Sequence, residues 1–342
     1  MLKLAIDRLP ELFAGLAENR ALYLPTEQAG QVEYGPWTPE AKVRLDALNT
    51  VKSAKDLFFP QSENLMAFKT QGKNISILDT RKEPQPFVIF GVRACDAASF
   101  DILDRVFLAE PVDSYYAARR EQGTVITRAC FEPEESCFCG VFGIDALHPA
   151  GDIATWETGG FLYWDSLTDK GAALTESVSG LFDPADSNEL AAAIDRAKAI
   201  FEKLPLHDLS LNGFDGDATA RLFDSPKWQE LSQSCIGCGT CTFVCPTCQC
   251  YDIRDYDTGH GIQRFRCWDS CMYSDFTKMA HGNPRTTQLE RFRQRFMHKL
   301  VYFPANNDGA YSCVGCGRCL NKCPISMNIV KVIKTLGVKE DV

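Results

Sequence analysis

Apolar residues in the first half of the chain follow spacings that predict strands and helices in turn. The run Phe87–Val92 is short and largely apolar, which is typical of a buried strand. The stretch after it, DAASFDILDRVFL, places its apolar side chains on one helical face. A second helix-like stretch then leads through Gly123 into TVITRAC, another predicted strand. This strand–helix–strand order favours two parallel strands joined by a right-handed crossover.

Cysteines stand at the ends of these two predicted strands. Cys95 follows the first strand and Cys130 follows the second. Ligands of parallel sheets gather beyond the carboxyl ends of the strands, so neighbouring strands would bring both thiols to one edge. Further strand-like segments, RALYLP, QVEYGPW, ISILDT and GFLYWD, indicate a mixed α/β sheet domain at the front of the chain.

A helical segment and a linker mark the end of this domain. In SNELAAAIDRAKAIFEKLP the apolar residues recur at helix spacing, and Ser187 stands where a cap is expected. The next segment, HDLSLNGFDGDATARLF, is acidic and contains glycine, as linkers do. We therefore predict an α+β protein. Its mixed α/β sheet domain spans 1–215, and a second, mainly helical domain spans 216–342, with an insertion at about 247–312.

Composition and charge exclude several classes of protein. The chain has 342 residues, of which 45% are hydrophobic and 24% are charged, and this suits one large or two ordinary globular domains. No apolar run of about 18 residues occurs, so no membrane span is expected. The first residues lack the apolar core of a secretory signal, which predicts a cytoplasmic protein. The net charge of -9 argues against a nucleic-acid partner.

Cysteine is the outlier, with 16 residues. In a chain without an export signal, this number indicates metal or redox chemistry rather than a disulfide framework. Two runs, CIGCGTCTFVCP and CVGCGRCLNKCP, share the spacing C-x2-C-x2-C-x3-C-P. Three thiolates at this spacing surround one 4Fe-4S cluster, and the fourth cysteine ligates the other cluster.

This crossing assigns eight ligands. The predicted ligands of the first cluster are Cys235, Cys238, Cys241 and Cys323, and those of the second are Cys313, Cys316, Cys319 and Cys245. Zinc is the alternative, because C-x2-C pairs also bind zinc. Two complete runs with proline at matching positions fit the two-cluster ferredoxin pattern better.

The segment between the runs is far longer than a ferredoxin turn. It holds four more cysteines, Cys248, Cys250, Cys267 and Cys271. These thiols either pack and shield the clusters or form a separate metal site; packing is preferred because their spacing matches no known ligand pattern. The same segment contains the basic stretch NPRTTQLERFRQRFMHKLVYF. Three interpretations of its cations are open. They form a solvated face of a helix, they offset the negative charge of the clusters, or they contact an acidic partner.

A third 4Fe-4S cluster is expected in the front domain. Its predicted ligands are Cys95, Cys130, Cys137 and Cys139. Their spacing alone is a weak signal, and the prediction rests on the sheet that brings the first two together. Asp96 is a possible replacement for one thiolate, and a zinc site or unligated thiols are the alternatives. No flavin or nucleotide is predicted in this chain, because it has neither a G-x-G-x-x-G motif after a strand nor a phosphate-binding loop.

Several segments together resemble a known family. They are FGVRACDAASFDILDRVF, CFC at 137–139, CPTCQCYDIRD, RCWDSCMYSDFTKMAHGNPRTTQLERFRQRF and the two cysteine runs. The family is the iron–sulfur β subunit of cytoplasmic hydrogenase and sulfhydrogenase complexes, which includes the A subunit of anaerobic sulfite reductases. The resemblance covers roughly residues 45–335. Where the familiar front motif has proline after GVR, this chain has Ala94.

The resemblance implies an electron-transfer subunit that is not itself catalytic. It would relay electrons between a flavin- and NAD(P)H-binding subunit and a catalytic subunit, which is a hydrogenase, a sulfite or sulfur reductase, or a heterodisulfide-reductase-like protein. By position, the eight cysteines of the two runs are cluster ligands, and the four front cysteines match those of the family. No catalytic residue is predicted. Two other functions stay open: a self-sufficient reductase of a small substrate, and a freestanding ferredoxin-like carrier.

Overall fold

Two β-sheets organise the computed structural model, which describes residues 1–81 and 83–338. Its strands are β1 (Leu2–Ala5), β2 (Ala21–Gln28), β3 (Gln31–Pro36), β4 (Ser62–Gln71), β5 (Asn74–Asp79), β6 (Phe87–Arg93), β7 (Gly123–Arg128), β8 (Ile153–Thr158), β9 (Phe161–Ser166), β10 (Asp183–Pro184), β11 (Tyr251–Asp257) and β12 (Ile262–Trp268). Eight of them form one mixed sheet in the order β10-β1-β9-β8-β7-β6-β2-β3. The other four form a sheet in the order β11-β12-β4-β5.

The helices cover the large sheet and build the rear of the molecule. They are α1 (Leu9–Leu16), α2 (Lys55–Phe58), α3 (Ala94–Phe107), α4 (Ser114–Gln122), α5 (Asp169–Glu176), α6 (Asn188–Phe201), α7 (Thr219–Leu222), α8 (Lys227–Gln233), α9 (Thr240–Phe243), α10 (Gln288–Met297), α11 (Phe303–Asn306), α12 (Arg318–Asn321) and α13 (Ile329–Leu336). In the part of the chain that the structure describes, none of them has the length and apolar character needed to cross a bilayer.

The centre of the large sheet is parallel. Strand β6 pairs in parallel with β2 on one side and with β7 on the other. Phe87 pairs with Gly123, and α3 and α4 lie between the two strands in sequence. This confirms the predicted order of strand, helix and parallel strand, and it places Cys95 and Cys130 beyond the same edge of the sheet.

Different helices cover the two faces of this sheet. Helices α1 and α5 pack over Val88 and Phe90, whereas α2, α3 and α4 pack over Phe87 and Ile89. Successive side chains of a strand point to opposite faces, so β6 contributes to both cores. All seven of its residues are buried, which explains why its sequence is a continuous apolar run rather than an alternating one.

The small sheet joins the front of the chain to the insertion. Strands β4 and β5 come from residues 62–79, and β11 and β12 form a hairpin from residues 251–268. The guanidinium of Arg266 on β12 is buried against the carboxylates of Glu63 and Asp113. The insertion is therefore not a separate lobe, because it extends a sheet that residues 62–79 begin.

A second apolar core lies behind the large sheet. Trp228 of α8, Phe292 and Phe296 of α10, and Ile333 of α13 are buried in it together. Helix α10 begins with a capping box, in which the Thr287 hydroxyl accepts from the Glu290 amide and the Glu290 carboxylate accepts from the Thr287 amide. The mixed sheets and the helices that pack on and beside them confirm the predicted α+β class.

Candidate metal centres

One cavity in the rear of the molecule is lined by four cysteines from both runs. They are Cys235, Cys238, Cys241 and Cys323, here called the first quartet. The structure thus brings together the four residues that the spacing assigns to one cluster. Apolar side chains, including Phe292, Phe296 and Met327, line the rest of the cavity. Helix α9 positions Cys241, and it begins after Gly239, whose φ of 75° few other residues adopt.

The guanidinium of Arg295 is buried at this cavity. It comes from α10, is 3% exposed, and its Nε atom has no hydrogen-bond partner among the described residues. Burial alone would lower its pKa, but neighbouring cysteines, Cys241 first among them, raise the pKa overall. A buried cation without a carboxylate needs another source of negative charge. Thiolates that hold a cluster would supply it.

The second quartet is Cys245, Cys313, Cys316 and Cys319. Burial raises the pKa of Cys313 and of Cys319 to about 12, and the nearby Cys245 sulfur adds to both effects. The Lys299 ammonium group counteracts this rise in the pKa of Cys313, and the Arg295 guanidinium counteracts it in the pKa of Cys319. The fourth cysteine of the first run therefore lies among the first three cysteines of the second run, as the crossed assignment predicts.

Two buried lysines lie beside this quartet. Lys299 Nζ donates to Thr247 Oγ1 at 2.8 Å and to the Ser312 carbonyl at 2.9 Å. Lys55 Nζ donates to the carbonyls of Cys245, at 3.1 Å, and Cys248, at 2.9 Å. Burial lowers the pKa of Lys55 to about 8. Within the described ranges, neither ammonium group forms an ion pair with a carboxylate.

These contacts divide the basic stretch of the insertion into two groups. Arg295 and Lys299 are buried beside cysteines, which supports the charge-offset interpretation for both. Arg293, two residues before Arg295 in sequence, instead stacks on the exposed ring of Phe223, with 3.6 Å between the guanidinium carbon and the ring centre. The solvated-face interpretation suits Arg293.

The front cavity is lined by Cys95, Cys130, Cys137 and Cys139, here called the front quartet. Cys95 lies in the first turn of α3 and Cys130 follows β7, and the loop after β7 supplies the other two. Burial raises the pKa of all four thiols, and the nearby Arg93 guanidinium acts in the opposite direction on Cys130. Among the residues that the structure describes, Arg93 donates to the backbone carbonyls of Leu45, Ala47 and Ala129.

The front cavity also touches the second quartet. Gly315 and Cys316 line it, and the Phe138 amide donates to the Gly315 carbonyl at 2.9 Å. A Cβ atom on Gly315 would clash with the Phe138 carbonyl, and the φ of Gly315 is 57°. Glycine is therefore required where the second run meets the front loop.

Asp96 is engaged elsewhere than at the front cavity. Both of its oxygens accept from Arg318, at 2.5 Å and 2.7 Å, and the carboxylate is buried. It is not among the residues that line the front cavity. The sequence offers Asp96 as a substitute iron ligand, whereas the structure gives it a buried cation as its partner.

The donor sets suit iron–sulfur clusters. Each quartet offers four sulfurs, the ligands that hold 4Fe-4S clusters, and the buried cations stand where cluster charge would lie. Across residues 1–81 and 83–338, no three His, Cys, Asp or Glu side chains are close enough to hold a single metal ion. The zinc alternative therefore gains no support from this geometry.

The remaining cysteines are not equivalent. Interaction with Cys245 raises the pKa of Cys248, and interaction with Cys271 lowers the pKa of Cys250. Cys267 lies apart on β12, opposite Asp252 of β11. Sequence reasoning missed Lys55, Arg93 and Arg318 beside the quartets. Arg318 and Arg93 carried a signal, since Arg318 stands between two cysteines of the second run and Arg93 stands two residues before Cys95 in the front motif, whereas Lys55 carried none.

Comparison with known proteins gives the family. Residues 234–327 match the family model of the 4Fe-4S dicluster domain. The chain is 32% identical over 339 residues to sulfhydrogenase 2 subunit beta of Pyrococcus furiosus, a match that covers 97% of this chain and 96% of the relative. No solved structure matches the chain. These findings establish an iron–sulfur protein of the 4Fe-4S type and confirm the resemblance. The chain belongs to the family of sulfhydrogenase β subunits.

Proposed function

We propose that this chain relays electrons through three 4Fe-4S clusters within a multisubunit oxidoreductase. The single observation that carries the proposal is the front cavity, which four cysteines of the front domain and Cys316 of the second quartet line together. Ligands of two separate clusters share this region, and such closeness suits transfer between them. The front α/β domain, at 1–215, and the rear dicluster domain, at 216–342, then work as one conductor.

Each quartet would hold one cluster. The first quartet would hold the first cluster, the second quartet the second, and the front quartet the third. A bound 4Fe-4S cluster supplies one-electron chemistry through a change of iron valence. The chain's own contribution is to fix the thiolates, exclude water and place cations beside them.

The contacts suggest the order of the clusters. Cys245 of the second quartet influences the pKa of Cys241 in the first quartet, and Cys316 adjoins the front cavity. The second cluster would thus lie between the other two. Cys238 of the first quartet is exposed, and its neighbour Ile236 is 63% exposed. This favours the first cluster as the point of contact with a redox partner.

The family supports a proposal for the partners. The Pyrococcus furiosus relative is named as a subunit of a sulfhydrogenase. We propose that this chain lies between a flavin- and NAD(P)H-binding subunit and a catalytic redox subunit. The terminal acceptor and the direction of flow belong to those partners. No residue of this chain is assigned to the catalysis.

Anaerobic purification from the native host tests the proposal. The complex is isolated by affinity, its partners are identified by mass spectrometry, and iron and acid-labile sulfide are counted. About twelve irons per chain would support three clusters, and about eight would limit the protein to two. Co-purification with a flavoprotein and a catalytic subunit supports the relay. A stable, cluster-loaded chain recovered alone would overturn the partner proposal and favour a freestanding carrier.

The front cluster needs its own test. Cys137→Ser should remove about four irons per chain and stop electron flux through an otherwise assembled complex. Cys267→Ser is the matched control, because Cys267 belongs to no quartet, and it should change neither value. Unchanged flux in an assembled Cys137→Ser complex would reduce the front domain to a docking role.

A further inference from the structure

The hairpin of the insertion brings together two cysteines that the quartets do not use. Cys250 immediately precedes β11, and Cys271 lies three residues after the end of β12. Tyr251 and Trp268 form the first pair of the hairpin, and the Asp269 amide donates to the Cys250 carbonyl at 3.0 Å. The two chain segments are therefore held side by side at the open end of the hairpin.

The two thiols interact with one another. Interaction with the Cys271 side chain and amide lowers the pKa of Cys250, and interaction with Cys250 raises the pKa of Cys271. Within the described part of the chain, no third His, Cys, Asp or Glu side chain joins them at the distance that a single metal ion requires. The pair is thus not part of a compact three-ligand site for a single metal ion.

The charges around the pair are already accounted for. Lys55, Arg295 and Lys299 are buried near the two rear quartets, and thiolates that hold the proposed clusters would offset their charge. A further pair of thiolates would add buried negative charge, which is costly. A dithiol and a disulfide are both neutral, so interconversion between them leaves no new charge in the interior.

The pair lies next to the second quartet. Cys248 interacts with Cys245, a member of that quartet, and this interaction raises the pKa of Cys248. The charge of Cys250 raises the pKa of Cys248 further. The sulfur atoms of Cys271, Cys250, Cys248 and Cys245 thus lie within electrostatic reach of one another in succession. This succession suits the exchange of electrons between the dithiol and the proposed clusters.

We propose that Cys250 and Cys271 form a reversible redox disulfide that stores two electrons beside the second quartet. On oxidation the two S–H bonds break, one S–S bond forms, two protons leave and two electrons pass singly to one-electron acceptors. The 4Fe-4S clusters are the nearest acceptors, so the inference rests on the proposed function. The disulfide would couple the one-electron transfer of the clusters to the two-electron chemistry of a nicotinamide or flavin partner.

Peptide mapping of the holoprotein tests the pair. The protein is oxidised anaerobically with ferrocenium, quenched in acid, alkylated with iodoacetamide and digested without reductant. A crosslinked peptide containing Cys250 and Cys271 is expected, and dithionite treatment before the quench should return both residues as alkylated thiols. Two alkylated thiols after oxidation of a fully iron-loaded protein would overturn the proposal.

Variants supply the control. Cys250→Ser and Cys271→Ser should each abolish the crosslink and lower the number of reducing equivalents taken up by two, with the iron content unchanged. Cys267→Ser should keep both the crosslink and the electron count. Loss of iron or of bound zinc from Cys250→Ser and Cys271→Ser would overturn the disulfide in favour of metal ligation. Holoprotein without iron would instead overturn the proposed function, so the two failures are distinguishable.

Discussion

The Asp96 carboxylate and the Arg318 guanidinium form a buried, two-point ion pair between the front and rear of the molecule. Arg318 Nη1 and Nη2 donate to the two Asp96 oxygens at 2.5 Å and 2.7 Å, and both side chains are at most 2% exposed. Arg318 Nε also donates to the Thr50 carbonyl at 3.0 Å. Asp96 follows Cys95, and Arg318 stands between Cys316 and Cys319. The pair therefore fixes the front quartet against the second.

Removing one partner of this pair should destabilise the protein strongly. Asp96→Asn leaves the buried Arg318 charge without its counter-ion, which typically costs about 3–5 kcal/mol. The anaerobic denaturant midpoint of the holoprotein measures the loss. Asp308→Asn is the matched control, because Asp308 pairs with Arg105 at the surface and is 94% exposed. It should cost less than about 1 kcal/mol.

The same variant separates a structural carboxylate from an iron ligand. If Asp96 only partners Arg318, the Asp96→Asn protein that stays folded should keep its full iron count and the electron paramagnetic resonance signal of the front cluster. Loss of that signal at unchanged stability would mean that Asp96 ligates iron. The double variant Asp96→Asn with Arg318→Met should recover part of the lost stability, since it leaves no unpaired charge.

Gly315 should be essential to the junction between the second run and the front loop. The backbone of Gly315→Ala would carry a Cβ atom against the Phe138 carbonyl at a φ of 57°, so the loop or the run must move. We expect a lower midpoint of thermal unfolding and a lower iron count. Gly140→Ala is the control on the same loop, because a Cβ atom there meets nothing within 4 Å. If the two variants had the same iron content and the same midpoint of thermal unfolding, glycine would not be required at position 315.

The buried charge of Arg295 should raise the reduction potential of the cluster proposed for the first quartet. Reduction adds negative charge to a cluster, and a nearby cation favours the reduced state, so Arg295→Met should shift the potential to more negative values. At the dielectric of a protein interior, the shift is on the order of 50–100 mV for one electron. Anaerobic redox titration followed by electron paramagnetic resonance measures it.

Arg293→Met on the same helix provides the comparison. It removes the same charge from an exposed site on Phe223, where solvent screens it. A shift in Arg293→Met as large as in Arg295→Met would mean that the effect is not local to the buried guanidinium.

Local sequence patterns predict part of this arrangement, and long-range contacts account for the rest. The positions of Cys95 and Cys130 follow from two apolar strands and the crossover between them, which are local features. The crossed quartets follow from cysteine spacing alone. Lys55 carries no local signal, because it becomes significant only when folding brings it to Cys245, 190 residues away in the chain.

Local patterns predict one strand of the small sheet but not how its strands pair. The segment ISILDT predicts a strand, and β5 confirms it, although all six residues of β5 are exposed. The hairpin of β11 and β12 pairs with β4 across nearly 200 residues of sequence, and neither partner indicates the other. Charge pairing of Arg266 with Glu63 and Asp113 fixes that register only in the folded chain.

His298 should make the protein less stable in mild acid. Burial lowers the pKa of its imidazole to about 4, against 6.5 for an ordinary histidine, with Lys299 and Arg285 acting in the same direction. Between these values the unfolded chain binds a proton that the native chain does not, so stability falls as the pH drops from about 6.5 towards 4. By pH 5 the expected loss is about 2 kcal/mol.

His298→Gln should remove this part of the pH dependence, whereas His148→Gln, at an exposed histidine beside Asp145, should leave it in place. The anaerobic thermal midpoint of each protein from pH 7.5 to pH 5 measures the difference, and parallel curves for His298→Gln and the parent protein would refute the assignment.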